Sequence, residues 1–152
     1  MKLLLDTHIG LWALENSGQL DKKVARLLGD TNTELWLSPV SLWEVLLLVE
    51  RGRVKIGRGK QPRRWIEQAL DKAPMKQAPI THDVALSSRA IHVEHEDPAD
   101  RFLAATAVVC DLTLVTADER LLLRPVFARV DLTCAEDREL IIARPRATRP
   151  ND

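Results

Sequence analysis

Short apolar runs that stop at a polar or acidic residue alternate with stretches of helical periodicity along most of this chain. The run at 2–5, KLLL, reads as a buried parallel strand ended by Asp6. IGLWALEN then predicts a helix with Ile9, Trp12 and Ala13 on one face. SGQLDKKVARLLGD predicts another, with Leu20, Val24, Leu27 and Leu28 inward and Gly29 as its stop. TELWLS (33–38) is a second strand, and PVSLWEVLLLVERG a leucine-rich helix with Pro39 in its first turn and Gly52 at its end. The loop-like VKIGRGKQP leads into the helix RRWIEQALDKA, whose apolar face carries Trp65, Ile66, Ala69 and Leu70.

Further along, QAPIT offers a strand and HDVALSSRAI a helix. DPADRFLAATAVVCD is a helix with Asp97 as cap and Pro98 at the first position. LTLVT (112–116) is a strand, ADERLLL a short helix and FARVDL a last strand. From Arg144 the chain is polar and proline-bearing, as a frayed tail would be. Alternating strands and helices imply a three-layer α/β/α sandwich. The expected division is one domain over 1–134 and a partly flexible extension over 135–152.

Composition changes this picture little. A chain of 152 residues, 45% apolar and 29% charged, suits one globular domain. Basic and acidic residues number 22 each, so net charge says nothing about a polyanionic partner. Their distribution says more, because Arg51, Arg53, Lys55, Arg58, Lys60, Arg63 and Arg64 fall in one stretch without an acid. Of two cysteines, Cys110 lies in the apolar run AATAVVC and reads as a small core residue. The apolar runs are far short of a membrane span, and MKLLLDTH lacks a secretory h-region, so the expected address is the cytoplasm.

The candidate chemistry lies in four acids, each where an apolar run gives way to a helix: Asp6, Glu44, Asp100 and Asp118. A parallel sheet would gather them outside the carboxyl ends of its strands. Carboxylates so gathered repel one another unless a cation sits among them. Each also has a structural reading. Asp6 can cap the helix starting at Thr7, and Glu44 can close a capping box with Ser41, although Ser38-Pro39 is an equally good helix start. Thr116 and Glu119 make another possible box, which leaves Asp118 unexplained. In DPADR, Asp97 is the better cap and Asp100 the surplus carboxylate.

The segments LLLDTHIGLWAL, SLWEVLLLVERGRV and EDPADRFLAATAVVCDLTLVTADERL, in that order, resemble a PIN-domain ribonuclease, specifically a VapC-type toxin of a toxin–antitoxin pair. The resemblance runs from Met1 to about Leu132 and implies a five-stranded parallel sheet with an acidic pocket at its carboxyl edge. It carries the metal-binding and catalytic acids onto Asp6, Glu44, Asp100 and Asp118, with Thr7, Ser41 and Thr116 in support. Arg101 is then expected in a structural ion pair. VEHEDPADR is more acidic before the motif, at Glu94 and Glu96, than such a family suggests. Also implied are an antitoxin whose peptide covers the site, a homodimer, and RNA cleavage leaving a 5′-phosphate and a 3′-hydroxyl.

An all-oxygen site suits Mg²⁺ or Mn²⁺, which take one or two carboxylates directly and keep several waters. Asp6 and Asp100 are the expected direct ligands, with Glu44 and Asp118 acting through water or on a second ion. The seven basic residues between Arg51 and Arg64 are the candidate RNA contacts, against a solvated loop as the plain alternative. Trp12, Trp43 and Trp65 fit the core better than base stacking, and the four histidines lack zinc spacing. His8 at the rim can touch substrate. A haloacid-dehalogenase-like phosphatase would need a second Asp where His8 stands. A catalytically silent RNA- or protein-binding module would leave the four acids without a purpose.

Overall fold

The computed structural model describes residues 1–15, 18–20, 22–90 and 97–118, together with the backbone of 128–129 and 139–142. Six strands, β1 (Lys2–Leu5), β2 (Glu34–Leu37), β3 (Met75–Gln77), β4 (Thr113–Thr116), β5 (Ala128–Arg129) and β6 (Glu139–Ile142), form a sheet in the order β3-β2-β1-β4-β6-β5. Every pairing is parallel. Six helices complete the description: α1 (Thr7–Glu15), α2 (Lys22–Leu28), α3 (Pro39–Glu50), α4 (Pro62–Lys72), α5 (His82–Ala90) and α6 (Pro98–Val109).

Alternation along the central strands makes the layers. Leu3 and Leu5 of β1 join Leu35, Leu37 and Val115 on one face, where Ile9 of α1 and Val24 of α2 cover them. Leu4 and Leu114 point to the other face and meet Leu103 and Ala107 of α6. Both faces are therefore closed, as apolar strands without polar alternation require. Val84 of α5 packs against Ala104 and Ala105, and Leu11, Val45 and Ile66 tie α1, α3 and α4 together. The α/β/α sandwich expected from the sequence is the fold.

Two details differ from expectation. The sheet has six strands rather than five among the described residues, because β6, in a stretch with no expected strand, pairs with β4 through Val115↔Ile141 and Thr116↔Ile142. QAPIT is also not a strand as a whole. The strand is Met75–Gln77, and the ladder continues only to Ala78, whose N–H donates to the Leu37 carbonyl at 2.9 Å. Pro79 follows and has no N–H to donate. The greater part of ADERLLL, the tail from Arg144, and Glu94, Glu96, His92, His95 and Cys134 lie outside the described residues. No helix among the described residues is long and apolar enough to cross a membrane.

Strand order fixes the working edge. From β1 the chain steps to β2 and β3 on one side, then returns to β4 on the other. Such a reversal opens a crevice at the carboxyl ends of the two strands that flank it, here β1 and β4.

Candidate active site at the carboxyl edge of the sheet

Asp6 follows the last residue of β1, and its N–H donates to the Val115 carbonyl of β4 at 2.9 Å. Its side chain is buried, with Oδ1 accepting from the Thr7 N–H at 2.6 Å and Oδ2 accepting from the Thr116 hydroxyl. A helix cap accepts from the second or third amide of its helix, whereas Asp6 takes the first. Thr116 also accepts from the Asp118 N–H at 3.0 Å, so one hydroxyl holds Asp6 and the turn that carries Asp118.

Ser38 is the cap of α3, accepting from the Val40 N–H at 3.2 Å. Glu44 is thereby left in the second turn with no capping duty, and its Oε2 accepts from the Thr7 hydroxyl instead. Asp97 caps α6, accepting from the Ala99 N–H at 3.0 Å, and Pro98 fills the first helical position as the sequence suggested. Asp100 sits one turn further along the same face. Arg101 donates to the Ser88 carbonyl at 3.4 Å, tying α6 to α5.

These elements bring Asp6, Glu44, Asp97, Asp100 and Asp118 into one cleft of about 310 Å³, completed by His8, Trp12 and Ala117. All four acids singled out in the sequence are there. Asp97, which sequence reasoning assigned only to capping, also lines the cleft, and its three-residue spacing from Asp100 was the available signal. Ser41 does not line the cleft. It is buried in the first turn of α3, and its hydroxyl has no partner among the described residues.

Electrostatics mark the cleft as a place that resists its own charge. Burial, with the carboxylates of Asp97, Asp6, Asp118 and Glu44, pushes the Asp100 carboxyl up to about 7. Burial also lifts Asp6 above the usual carboxylate range, against the opposing hydrogen bonds from Thr116 and Thr7. Glu44 is lifted by burial and by Asp6 and Asp97, with the Thr7 bond opposing. A hard divalent cation would reverse these shifts, and a set of carboxylate oxygens is the donor chemistry it prefers. Among the described residues no three His, Cys, Asp or Glu side chains close into a ligand cage. An ion that keeps several waters does not need one.

The seven basic residues stand apart from the acids. All are exposed, on the connection from the end of α3 into α4, and none lines the cleft. Arg63 is engaged with Glu67 at 2.8 Å. Of the tryptophans, Trp65 packs among apolar residues of α1, α3 and α4, while Trp12 both packs on the core and faces the cleft. Trp43 is 52% exposed, so it is not the core residue its helical position suggested.

A PIN domain family model matches residues 3–130. The chain belongs to the PIN domain family. Ribonuclease VapC22 of Mycobacterium tuberculosis is 28% identical to it over 120 residues, spanning 78% of this chain and 88% of that protein. Among solved structures, VapBC2 from Rickettsia felis bound to a promoter DNA fragment superposes with a TM-score of 0.66 at 16% identity, covering 94% of this chain and 99% of that one. DNA-bound VapBC from Salmonella typhimurium gives 0.55 at 19% identity, over 82% and 92% of the two chains. At such identities the structural likeness speaks for the fold, and this PIN domain's chemistry has to be argued from its own cleft.

Proposed function

We propose that this protein is a metal-dependent endoribonuclease and the toxin of a toxin–antitoxin pair. The observation that carries the reading is the meeting of Asp6, Glu44, Asp100 and Asp118, from four separate elements, in one solvent-open cleft where their charges are mutually unfavourable. Burial and mutual repulsion raise the proton affinity of Asp6, Glu44 and Asp100 together, a strain that a bound cation would relieve. The similarity to Ribonuclease VapC22 supports RNA as the substrate.

Asp6 and Asp100 would hold Mg²⁺ or Mn²⁺, with Glu44 and Asp118 reaching it through water or holding a second ion. When bound, such an ion supplies an acidified water and positive charge against the scissile phosphate. Thr7 and Thr116 orient the Glu44 and Asp6 carboxylates through the hydroxyl bonds described above. Glu44, half-buried and with its proton affinity raised, is suited to accept the proton of the attacking water. Arg51, Arg53, Lys55, Arg58, Lys60, Arg63 and Arg64 would draw the RNA backbone toward the cleft mouth.

The expected partners are an antitoxin and a second copy of the chain. A hollow of about 300 Å³ lies where α3 and α4 meet the β3 edge of the sheet, with Leu37, Pro39, Leu42, Leu70 and Met75 as its apolar walls and Lys76 and Gln77 at its side, and it suits an apolar segment of an antitoxin. A homodimer belongs to the same reading, and Trp43, 52% exposed on α3, is the residue we would place at its contact. The deciding experiment compares the purified protein with Asp6→Asn and Asp100→Asn on structured RNA. Cleavage is expected with Mg²⁺, none with EDTA, and a loss on the order of 100-fold or more in each variant. Equal cleavage by all three proteins would sink the reading.

A further inference from the structure

We infer that His8 and Trp12 form a seat for a nucleobase, receiving the base of a nucleotide whose phosphate lies at the acids. The inference rests on the ribonuclease reading and deepens it by assigning the uncharged part of the substrate. His8 and Trp12 are four residues apart on α1, so they occupy one face of the helix, a turn apart. Both line the acidic cleft. Their ring centroids are 6.1 Å apart and the planes are tilted by 58°, so neither ring covers the face of the other.

Charge assigns the two ends of the nucleotide. Apart from these rings and Ala117, the described residues that wall the cleft are carboxylates. A phosphate can lie there with a cation, whereas the face of a base finds no surface to stack on among carboxylates. The two rings offer the π surface on which a base of any identity stacks. Their rigidity differs in a useful way. Trp12 is packed from behind against the core around Ile9 and Leu35, and it also forms a wall of the apolar hollow between α1, α2 and α4. It is therefore fixed before substrate arrives, which spares the cost of ordering it. His8 is exposed and free to lie against the incoming base. Because stacking tolerates every base, the pair sets the position of the strand rather than its sequence.

The test is binding of a short, fluorescein-labelled single-stranded RNA to the full chain, read by anisotropy with Ca²⁺ in place of Mg²⁺. A strand of equal length with abasic ribose at every position is measured beside it. His8→Ala, at an exposed position, should weaken binding of the RNA about 5- to 30-fold and leave the abasic strand within about twofold. Trp12→Leu should do the same, with Trp12→Phe restoring most of the affinity, and thermal melting confirms which variants are folded. Equal weakening toward both strands, or no weakening by His8→Ala, overturns the base seat while the ribonuclease reading stands. If the unsubstituted protein binds neither strand and cuts no RNA, both readings fall together.

Discussion

With burial and neighbouring carboxylates pushing it up to about 7, Asp100 makes the stability of the metal-free protein depend on pH. In the unfolded chain an aspartate ionises near its ordinary value of 3.8. Below that both states hold the proton and no penalty exists. As pH rises toward about 7 the unfolded state releases its proton first, so stability falls across this window and levels off above it. Metal-free melts should accordingly show Tm falling from about pH 5 to about pH 8. Asp100→Asn should reduce that slope and raise Tm near pH 8 by roughly 2–4 °C, about 1 kcal/mol for a chain of this size. Some slope should remain, because Asp6 and Glu44 are shifted in the same direction. Added Mg²⁺ or Mn²⁺ should stabilise near pH 8 and have little effect near pH 5. An identical slope in the variant would refute the origin given to it. The neighbouring Asp97 is separable by the same method. Asparagine caps helices as well as aspartate does, so near pH 5, where Asp100 holds its proton, Asp97→Asn should keep Tm while Asp97→Ala lowers it by roughly 2–4 °C. Comparable losses in both variants would mean that charge, and not the hydrogen bond to the Ala99 N–H, is what Asp97 contributes.

Helix ends were readable from the chain because their chemistry is local. Ser38-Pro39 and Asp97-Pro98 each pair a side-chain acceptor with a residue that has no N–H to satisfy, and both begin helices as expected. The end of α3 is equally explicit. Gly52 has φ 69°, its N–H donates to the Val49 carbonyl at 3.0 Å, and the Arg53 N–H donates to the Leu48 carbonyl at 2.8 Å. This double closure requires a left-handed residue after the helix. Gly52→Ala should therefore cost about 1 kcal/mol, seen as a Tm lower by roughly 2–4 °C, with no change in metal binding. A neutral result would mean that the turn relaxes to another geometry. Sheet edges were less legible. β6 is the four-residue run ELII, too short for periodicity to separate strand from helix, and its place depends on a partner some 26 residues away in β4. Helical position likewise suggested that Trp43 was core, since a residue's burial depends on whether a neighbouring element covers that face of the helix.

At the scale of the whole molecule, the gathering of four distant acids followed from strand order, which no local pattern encodes. The sequence showed where each carboxylate met a helix, and the resemblance to PIN domains supplied the order. The structure adds a separation of charge that the net balance of 22 against 22 conceals. Glu44 faces the cleft, and Arg51 lies seven residues further along the same chain, roughly 10 Å at the helical rise of 1.5 Å per residue. That distance is about one Debye length at 0.1 M salt, so the basic connection can draw RNA to the cleft mouth in dilute buffer and is screened in concentrated buffer. Affinity for RNA should then fall with salt, steeply in proportion to the phosphates engaged. Replacing Arg58 and Lys60 together with glutamate, at exposed sites outside the cleft, should raise KM about 10-fold in low salt and flatten the salt dependence. The turnover number should stay within about twofold, because backbone contacts position the strand and do not take part in bond breaking. A matching fall in kcat would move these residues into the reacting centre, and an unchanged salt slope would assign the capture of RNA to another surface.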